Sequence, residues 1–278
     1  MGHYQIHEKV EAYGSLSFMN DITTAQIAPA GNFFQTTTIN CDNPLLSPEQ
    51  VQVICLNNGY SPTAPDLEDR DAPLQIGRRN VEGGGRQNET EHTSFRVLGG
   101  FRGDLNNVWS YDVYGQYSQV QYSDKAENFF NLDLVANALE VRIDPETGEP
   151  ACQVAIDGTD PNCVPYDVFS LDGVTQGALD YIQAPGFREG EVTQEIFSAV
   201  MTGDLTDYGM VMPWAETGVQ TVFGAEYRDE YLTQSNDALT RNGKLGTARA
   251  DVAGGVAVYE FFTEVQGPLV ENRPGIDE

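Results

Sequence analysis

The clearest signal along the chain is an alternation of apolar and polar residues with a period of two, the spacing of side chains on one face of a β-strand. Between residues 109 and 118, one set of alternate positions reads Trp, Tyr, Val, Gly, Tyr and the other reads Ser, Asp, Tyr, Gln, Ser. Residues 192–204 are strand-like with mixed faces, and Gly2–Ile6 reads as a further strand. The clear alternation recurs at 10–18, 95–102, 219–228 and 257–266. The pattern predicts about six to seven antiparallel strands.

The connections between these strands are unequal in length. Residues 101–109 contain a short turn rich in Gly, Asp and Asn, which fits an antiparallel hairpin. Long connections are predicted at Asp21–Glu91, Ser123–Glu191 and Ser235–Gly254. Compact soluble domains rarely contain structureless loops longer than about 12–15 residues. Long strands with short turns at one end and very long loops at the other are typical of an outer-membrane β-barrel.

Aromatic residues agree with a barrel without proving one. Trp109 and Tyr111 follow a short turn, and Tyr227 and Tyr231 lie near a long loop, where interfacial aromatic girdles are expected. Alternating strands with aromatic residues also describe a secreted β-sandwich or β-solenoid. The pattern by itself favours neither class.

The composition of the chain excludes two classes of protein. The 278 residues include 15 Lys and Arg against 42 Asp and Glu, a formal net charge of −27. A nucleic-acid binder that works through a basic surface is excluded, because counterion release needs clustered cations. No apolar stretch approaches the roughly 18 residues of a membrane helix, so a helical membrane protein is excluded as well.

The four cysteines form two local pairs, Cys41 with Cys55 and Cys152 with Cys163, each within a polar segment. Short loops of this kind are closed by disulfides in oxidising compartments, so we predict two disulfides in preference to free thiols. A metal site is a weaker interpretation, since no CxxC spacing is present. The cysteines therefore indicate export, whereas the first residues show no signal peptide.

Several segments resemble the C-terminal barrel domain of TonB-dependent outer-membrane receptors, in particular the large receptors of sphingomonad, caulobacter and xanthomonad type. Each segment is weak alone, but their order and spacing cover almost the whole chain. The segments are SFMND at 17–21, INCDNPLL at 39–46, RRNVEGGGR at 78–86, NCVPYDVF at 162–169, FGAEYR at 223–228 and GPLVENRPG at 267–275.

This resemblance implies a 22-stranded barrel with a plug domain inside it, located in the bacterial outer membrane. Such a receptor takes up a scarce nutrient, either a ferric siderophore, an oligosaccharide or a cobalamin-like cofactor, with energy supplied through TonB. The sequence departs from the family because residues 1–278 contain too few strands and no plug. We therefore expect an internal piece of a longer receptor that does not transport by itself, since a sheet in lipid must leave no unpaired edge.

Within a barrel, the polar faces of the strands line the lumen and contact the plug or the passing solute. Simple solvation of a hydrophilic interior is the more economical interpretation of these charges. A second group of arginines, Arg78, Arg79 and Arg86, is the densest basic cluster and is a candidate contact for an anionic ligand or a lipopolysaccharide phosphate. Gly83–Gly85 beside it reads as a bulge or bend. The predicted lumen-facing residues are Arg96, Arg102, Asp112, Glu226, Arg228, Glu260 and Glu264.

The sequence contains no motif that indicates a catalytic site. Neither a Gly-x-Ser-x-Gly elbow nor an HExxH motif occurs, and residues 157–162 read as a turn, since they lack the ligand spacing of a calcium loop. We expect no enzyme activity, cofactor or bound metal. The alternative to a transporter is a secreted soluble β-rich binding or adhesion module, which would need no detergent to stay in solution.

Overall fold

The computed structural model describes residues 1–32 and 36–271, and its main element is one seven-stranded antiparallel sheet. Each strand pairs with the next along the chain, so the sheet is a simple meander. Residues 272–275 of the last resemblance segment lie outside the described residues. The strands are β1 (Gly2–His7), β2 (Val10–Pro29), β3 (Gly85–Asp104), β4 (Trp109–Phe130), β5 (Gln183–Asp204), β6 (Gln220–Asn236) and β7 (Val252–Gln266).

The number and direction of the strands agree with the alternation, but the strands are longer than predicted. The segment expected to end near 118 continues as β4 to Phe130, and β3 begins ten residues before Phe95, at Gly85. Backbone pairing continues there between polar residues, as in the pair Glu91 and Ser123. The ladder of backbone hydrogen bonds does not need apolar side chains, so the alternation ends before the strand does.

The connections fall at two ends of the sheet. The turn end holds residues 8–9, 105–108 and 205–219, and the loop end holds 30–84, 131–182 and 237–251. The predicted long connections are therefore shorter than expected, because strand extensions occupy their flanks. The connection 205–219 at the turn end is longer than the predicted short turn at 101–109, and it contains a 3-10 turn and a bridge between Val211 and Gly218.

The described residues of 30–84 and 131–182, which we call the cap, fold together and contain the hydrophobic core. Asn40 Nδ2 donates to the carbonyl of Val141 (2.8 Å), and Asn43 Nδ2 donates to that of Leu139 (2.8 Å), so the two segments are joined through buried amides. The sequence did not predict this core, because its apolar residues show no regular period. Its buried members include Ile39, Cys41, Cys55, Ala72, Phe130, Val135, Ala138, Leu139, Cys152, Tyr166, Ala178 and Ile182.

Short helices and strand pairs build the cap, which the prediction of an all-β chain did not include. Ser47 caps α1 through a reciprocal hydrogen-bond pair with Gln50, and Asn131 caps α2. No helix of the described residues is long and apolar enough to cross a bilayer. The helices are α1 (Pro48–Ile54), α2 (Leu132–Leu139), α3 (Gln153–Ile156), α4 (Gln176–Ile182) and, in the third loop, α5 (Ala238–Arg241). The strand pairs are Gly31–Asn32 with Arg78–Arg79, Thr36–Asn40 with Asp71–Gln75, and Val141–Ile143 with Pro150–Cys152.

Candidate functional site

One face of the sheet carries a continuous band of side chains without a charge. Strand register places alternate residues of six strand segments on this face, beginning with the first residue of each segment. The segments are 12–18, 95–103, 109–117, 197–203, 221–227 and 257–265. We call these positions the apolar band. Every one of them is Ala, Gly, Val, Leu, Met, Thr, Phe, Tyr or Trp.

The apolar band is exposed instead of covered by the rest of the chain. Leu16 is 77% exposed, Phe18 73% and Phe261 86%. With strands about 4.8 Å apart and about 3.3 Å per residue, six strands of up to nine residues cover roughly 630 Å² of sheet. Soluble monomers rarely expose a contiguous apolar patch above about 300–600 Å². The band therefore indicates an apolar partner.

Aromatic residues lie towards both ends of the apolar band. Trp109 stands at the turn end, with its ring centroid 6.3 Å from that of Phe223. Towards the loop end, the rings of Tyr227 and Tyr259 are 4.8 Å apart. Register places all four aromatic residues singled out in the sequence on this face, Trp109, Tyr111, Tyr227 and Tyr231.

Beyond the loop end of the band, the same face becomes polar. Gln119 follows Tyr117 on β4, and Glu195 pairs with Asp229 between β5 and β6. The outward residues above this row include Glu91 and Glu191. The apolar band therefore occupies a limited length of each strand.

The opposite face of the sheet carries charged and polar side chains together with apolar ones such as Leu98, Val222 and Phe262, and all seven residues predicted to face a lumen lie on it. Register aligns Arg102 with Asp112, Glu226 with Glu260, and Arg228 with Val258. We call this side the polar face. The seven are Arg96, Arg102, Asp112, Glu226, Arg228, Glu260 and Glu264.

Two of the seven meet in a cluster at the turn end of the polar face. Arg102 donates to Glu11 (2.7 Å), and its guanidinium lies 5.3 Å from the ring centre of Tyr13. The Tyr13 hydroxyl donates to Asp112, which links the two predicted residues through a tyrosine. The charges in this cluster satisfy one another.

A second cluster crosses β4, β5 and β6. Gln116 donates to Gln194 (3.0 Å), which donates to Glu230 (2.8 Å). Arg228 lies 3.6 Å from Glu230 and 3.7 Å from Glu226. Among the described residues, the side chains of Arg96, Glu260 and Glu264 have no hydrogen-bond or ion-pair partner, so the seven residues do not form one site.

Sequence reasoning missed a third cluster near the cap. Asp124, only 8% exposed, accepts hydrogen bonds from Thr90 (2.8 Å) and Arg188 (3.1 Å). Asp124 and Arg188 lay in a segment predicted to be a loop. One signal in the sequence could have placed Asp124. It lies an even number of residues from Asp112 on the same strand, so the two side chains share a face.

The three arginines of the candidate anion cluster are held separately. Arg78 makes a two-pronged ion pair with Glu82, Arg79 donates to the carbonyl of Pro29 (3.0 Å), and Arg86 donates to that of Ala28 (3.0 Å). Gly84, with φ of 76°, makes the bend expected at the glycine triplet. The three arginines therefore do not converge on one anion.

The Arg78–Glu82 pair gives a testable pH dependence. The hydrogen bond from Arg78 lowers the pKa of Glu82 below its usual value of about 4.3. A lowered folded-state pKa means that the pair stabilises the cap fully above about pH 4.3, and that this stabilisation is lost as pH falls through the lowered pKa. In a carboxyl NMR titration, Arg78→Gln should return the midpoint of Glu82 to its usual range. An unchanged midpoint would contradict the pairing.

Both predicted cysteine pairs are disulfides, Cys41–Cys55 and Cys152–Cys163. All four cysteines are buried in the cap. Closing loops of this length contributes about 3 kcal/mol each in the chain-entropy account. Mass mapping of unreduced peptides should recover these two linkages, and crossed linkages would contradict the cap structure. Within the described residues, no group of three or more His, Cys, Asp or Glu is placed to hold a metal.

Comparison with known proteins gives no relative. No family model, no curated protein and no solved structure matches the chain.

Proposed function

We propose that the chain is a sector of an outer-membrane β-barrel receptor of the TonB-dependent kind, which takes up a small molecule or an oligosaccharide. The observation that carries the proposal is the exposed, charge-free apolar band backed by a polar face. In a membrane barrel, one face of every strand meets lipid and the other meets water in the lumen.

The height of the band supports a bilayer as its partner. Trp109 and Tyr117 are eight residues apart on β4, which is about 26 Å along a strand. A tilt of about 35–45° reduces this to roughly 20 Å, close to the apolar band of about 25 Å on known membrane barrels. The aromatic residues at its ends match the interfacial girdles of such barrels.

The open edges of the sheet support a larger barrel. Among the described residues, β1 and β7 pair on one side only. Unpaired backbone groups cost several kcal/mol each in hydrocarbon, so both edges must pair with further strands in a bilayer. In the proposed barrel the cap lies outside the membrane, above the loop end. The roles of TonB and of a plug domain rest on the resemblance of the sequence segments.

Lipid contact can be tested with the two tryptophans of the chain, Trp109 and Trp214. Trp214→Phe leaves Trp109 on the apolar band, and Trp109→Phe leaves Trp214 in the connection 205–219. In vesicles of brominated lipid, the fluorescence of Trp109 should be strongly quenched and that of Trp214 less so. Equal and weak quenching of both, in protein that is recovered with the vesicles, would reject the proposal.

The alternative is a secreted soluble binding module, and the cap favours it, because its core and disulfides are those of a domain that folds in water. A monodisperse monomer in buffer without detergent would support that module. A requirement for detergent would support the barrel.

A further inference from the structure

A cavity of about 490 Å³ lies where the polar face meets the cap and the third loop, and cations dominate its lining. Arg86, Arg188 and Arg249 line it, against a single carboxylate, Asp124. Two positive charges are thus left in excess inside a chain of net charge −27. Such a local reversal of sign favours an anionic occupant.

Each arginine retains donors that the protein does not use. Arg249 is exposed, and its side chain has no hydrogen-bond or ion-pair partner among the described residues. Arg188 contacts Asp124 through one terminal nitrogen, whereas its Nε is buried without a partner. Arg86 uses Nε on the carbonyl of Ala28, and its terminal nitrogens are not used in that bond. A guanidinium fork with free donors is suited to bind the oxygens of a phosphate, sulfate or carboxylate.

The neighbouring carboxylates do not neutralise this charge, because they are turned to other donors. Asp237 accepts from the backbone amides of Phe187, Leu239 and Thr240. Asp251 accepts from the amide of Asn236 and pairs with Arg241 (3.0 Å).

The cavity also offers an apolar wall and one unused acceptor. Arg86 lies 5.4 Å from the ring centre of Phe129, and Leu132 and Leu245 line the same space. Asn236 is 5% exposed and lines the cavity, and its Oδ1 has no hydrogen-bond partner among the described atoms. A buried acceptor without a partner is costly, unless an occupant supplies the missing hydrogen.

We infer that this cavity binds a small organic oxyanion with an apolar body, its oxygens held by Arg86, Arg188 and Arg249. Arg86, Arg188 and Asn236 lie on the polar face, opposite the apolar band. The oxyanion therefore belongs to a dissolved solute and not to a lipid headgroup. The choice of a solute rests on the proposed function, whereas the preference for an anion does not.

The test is binding of 4-fluorophenyl phosphate to the full chain in detergent, followed by fluorine NMR, with neutral 4-fluorobenzyl alcohol as the comparison probe. We expect the phosphate to bind at least about tenfold more tightly, and Arg249→Gln and Arg86→Gln each to weaken it by about tenfold. The control is Lys9→Gln, which removes a positive charge at the turn end of the sheet, where Lys9 does not line the cavity. It should change binding by less than about twofold.

Equal binding of both probes, or equal weakening by Lys9→Gln, would overturn the inference. Competition by phosphatidylglycerol without competition by inorganic phosphate would identify a lipid headgroup and overturn the assignment to a solute. The quenching experiment on Trp109 tests the membrane proposal separately. A failure of either proposal can therefore be distinguished from a failure of the other.

Discussion

In the proposed barrel, arginine at position 199 should prevent stable membrane insertion, whereas arginine at the adjacent position 200 should be tolerated. Ala199 is exposed in the middle of the apolar band, opposite Val113 and Ala225. A charge at the midplane of the lipid face of a barrel costs about 2–4 kcal/mol. Val200 lies on the polar face in register with Asp112, where a cation finds an opposite charge.

The matched pair separates lipid from water as the environment of the apolar band. In water, Ala199→Arg at an exposed position changes stability by no more than about 0.5 kcal/mol. The measurement is the fraction of each variant recovered in the membrane, together with its urea midpoint in vesicles. Equal recovery of both variants would show that the band does not meet lipid.

Leu139→Ala should destabilise the cap by about 3 kcal/mol, the cost of a cavity left by a buried leucine. Leu139 is 1% exposed and ends α2 within the core. Hydrogen exchange should become faster for amides of residues 30–84 and 131–182, while the amides of β4 and β5 below the cap keep their protection. This outcome is expected because the sheet buries few apolar side chains against the cap.

Leu171→Ala is the control, since Leu171 lies in the same connection and is 94% exposed. It should change exchange rates by an amount equivalent to less than about 0.5 kcal/mol. Loss of protection throughout β4 and β5 in Leu139→Ala would show that the cap and the sheet unfold as one unit.

The strands were predictable wherever one face is apolar. The alternations at 95–102 and 109–118 give both strands and their two faces, so Arg102 and Asp112 could be assigned to one face without coordinates. The strand extensions were not predictable, because residues such as Glu91 and Ser123 are polar on both faces.

The cap escaped prediction for a different reason. Its helices contain four to eight residues, too few for a helical period to emerge from the background. The cysteine pairs were predictable, because each closes a short local loop. The cavity was not, because Arg86, Arg188 and Arg249 come together only through the register of β3 and β5 and the third loop.

The hydrophobic core lies in the cap and not in the sheet, so the two parts differ in the solvent in which they can fold. Water suffices to fold the cap, because its apolar residues cover one another and two covalent links hold its loops closed. The strands have no comparable reason to assemble in water, since assembly leaves Phe18 and Phe261 exposed. In the proposed barrel, a newly exported chain should therefore fold its cap before its sheet is assembled. Insertion into the bilayer should then complete folding.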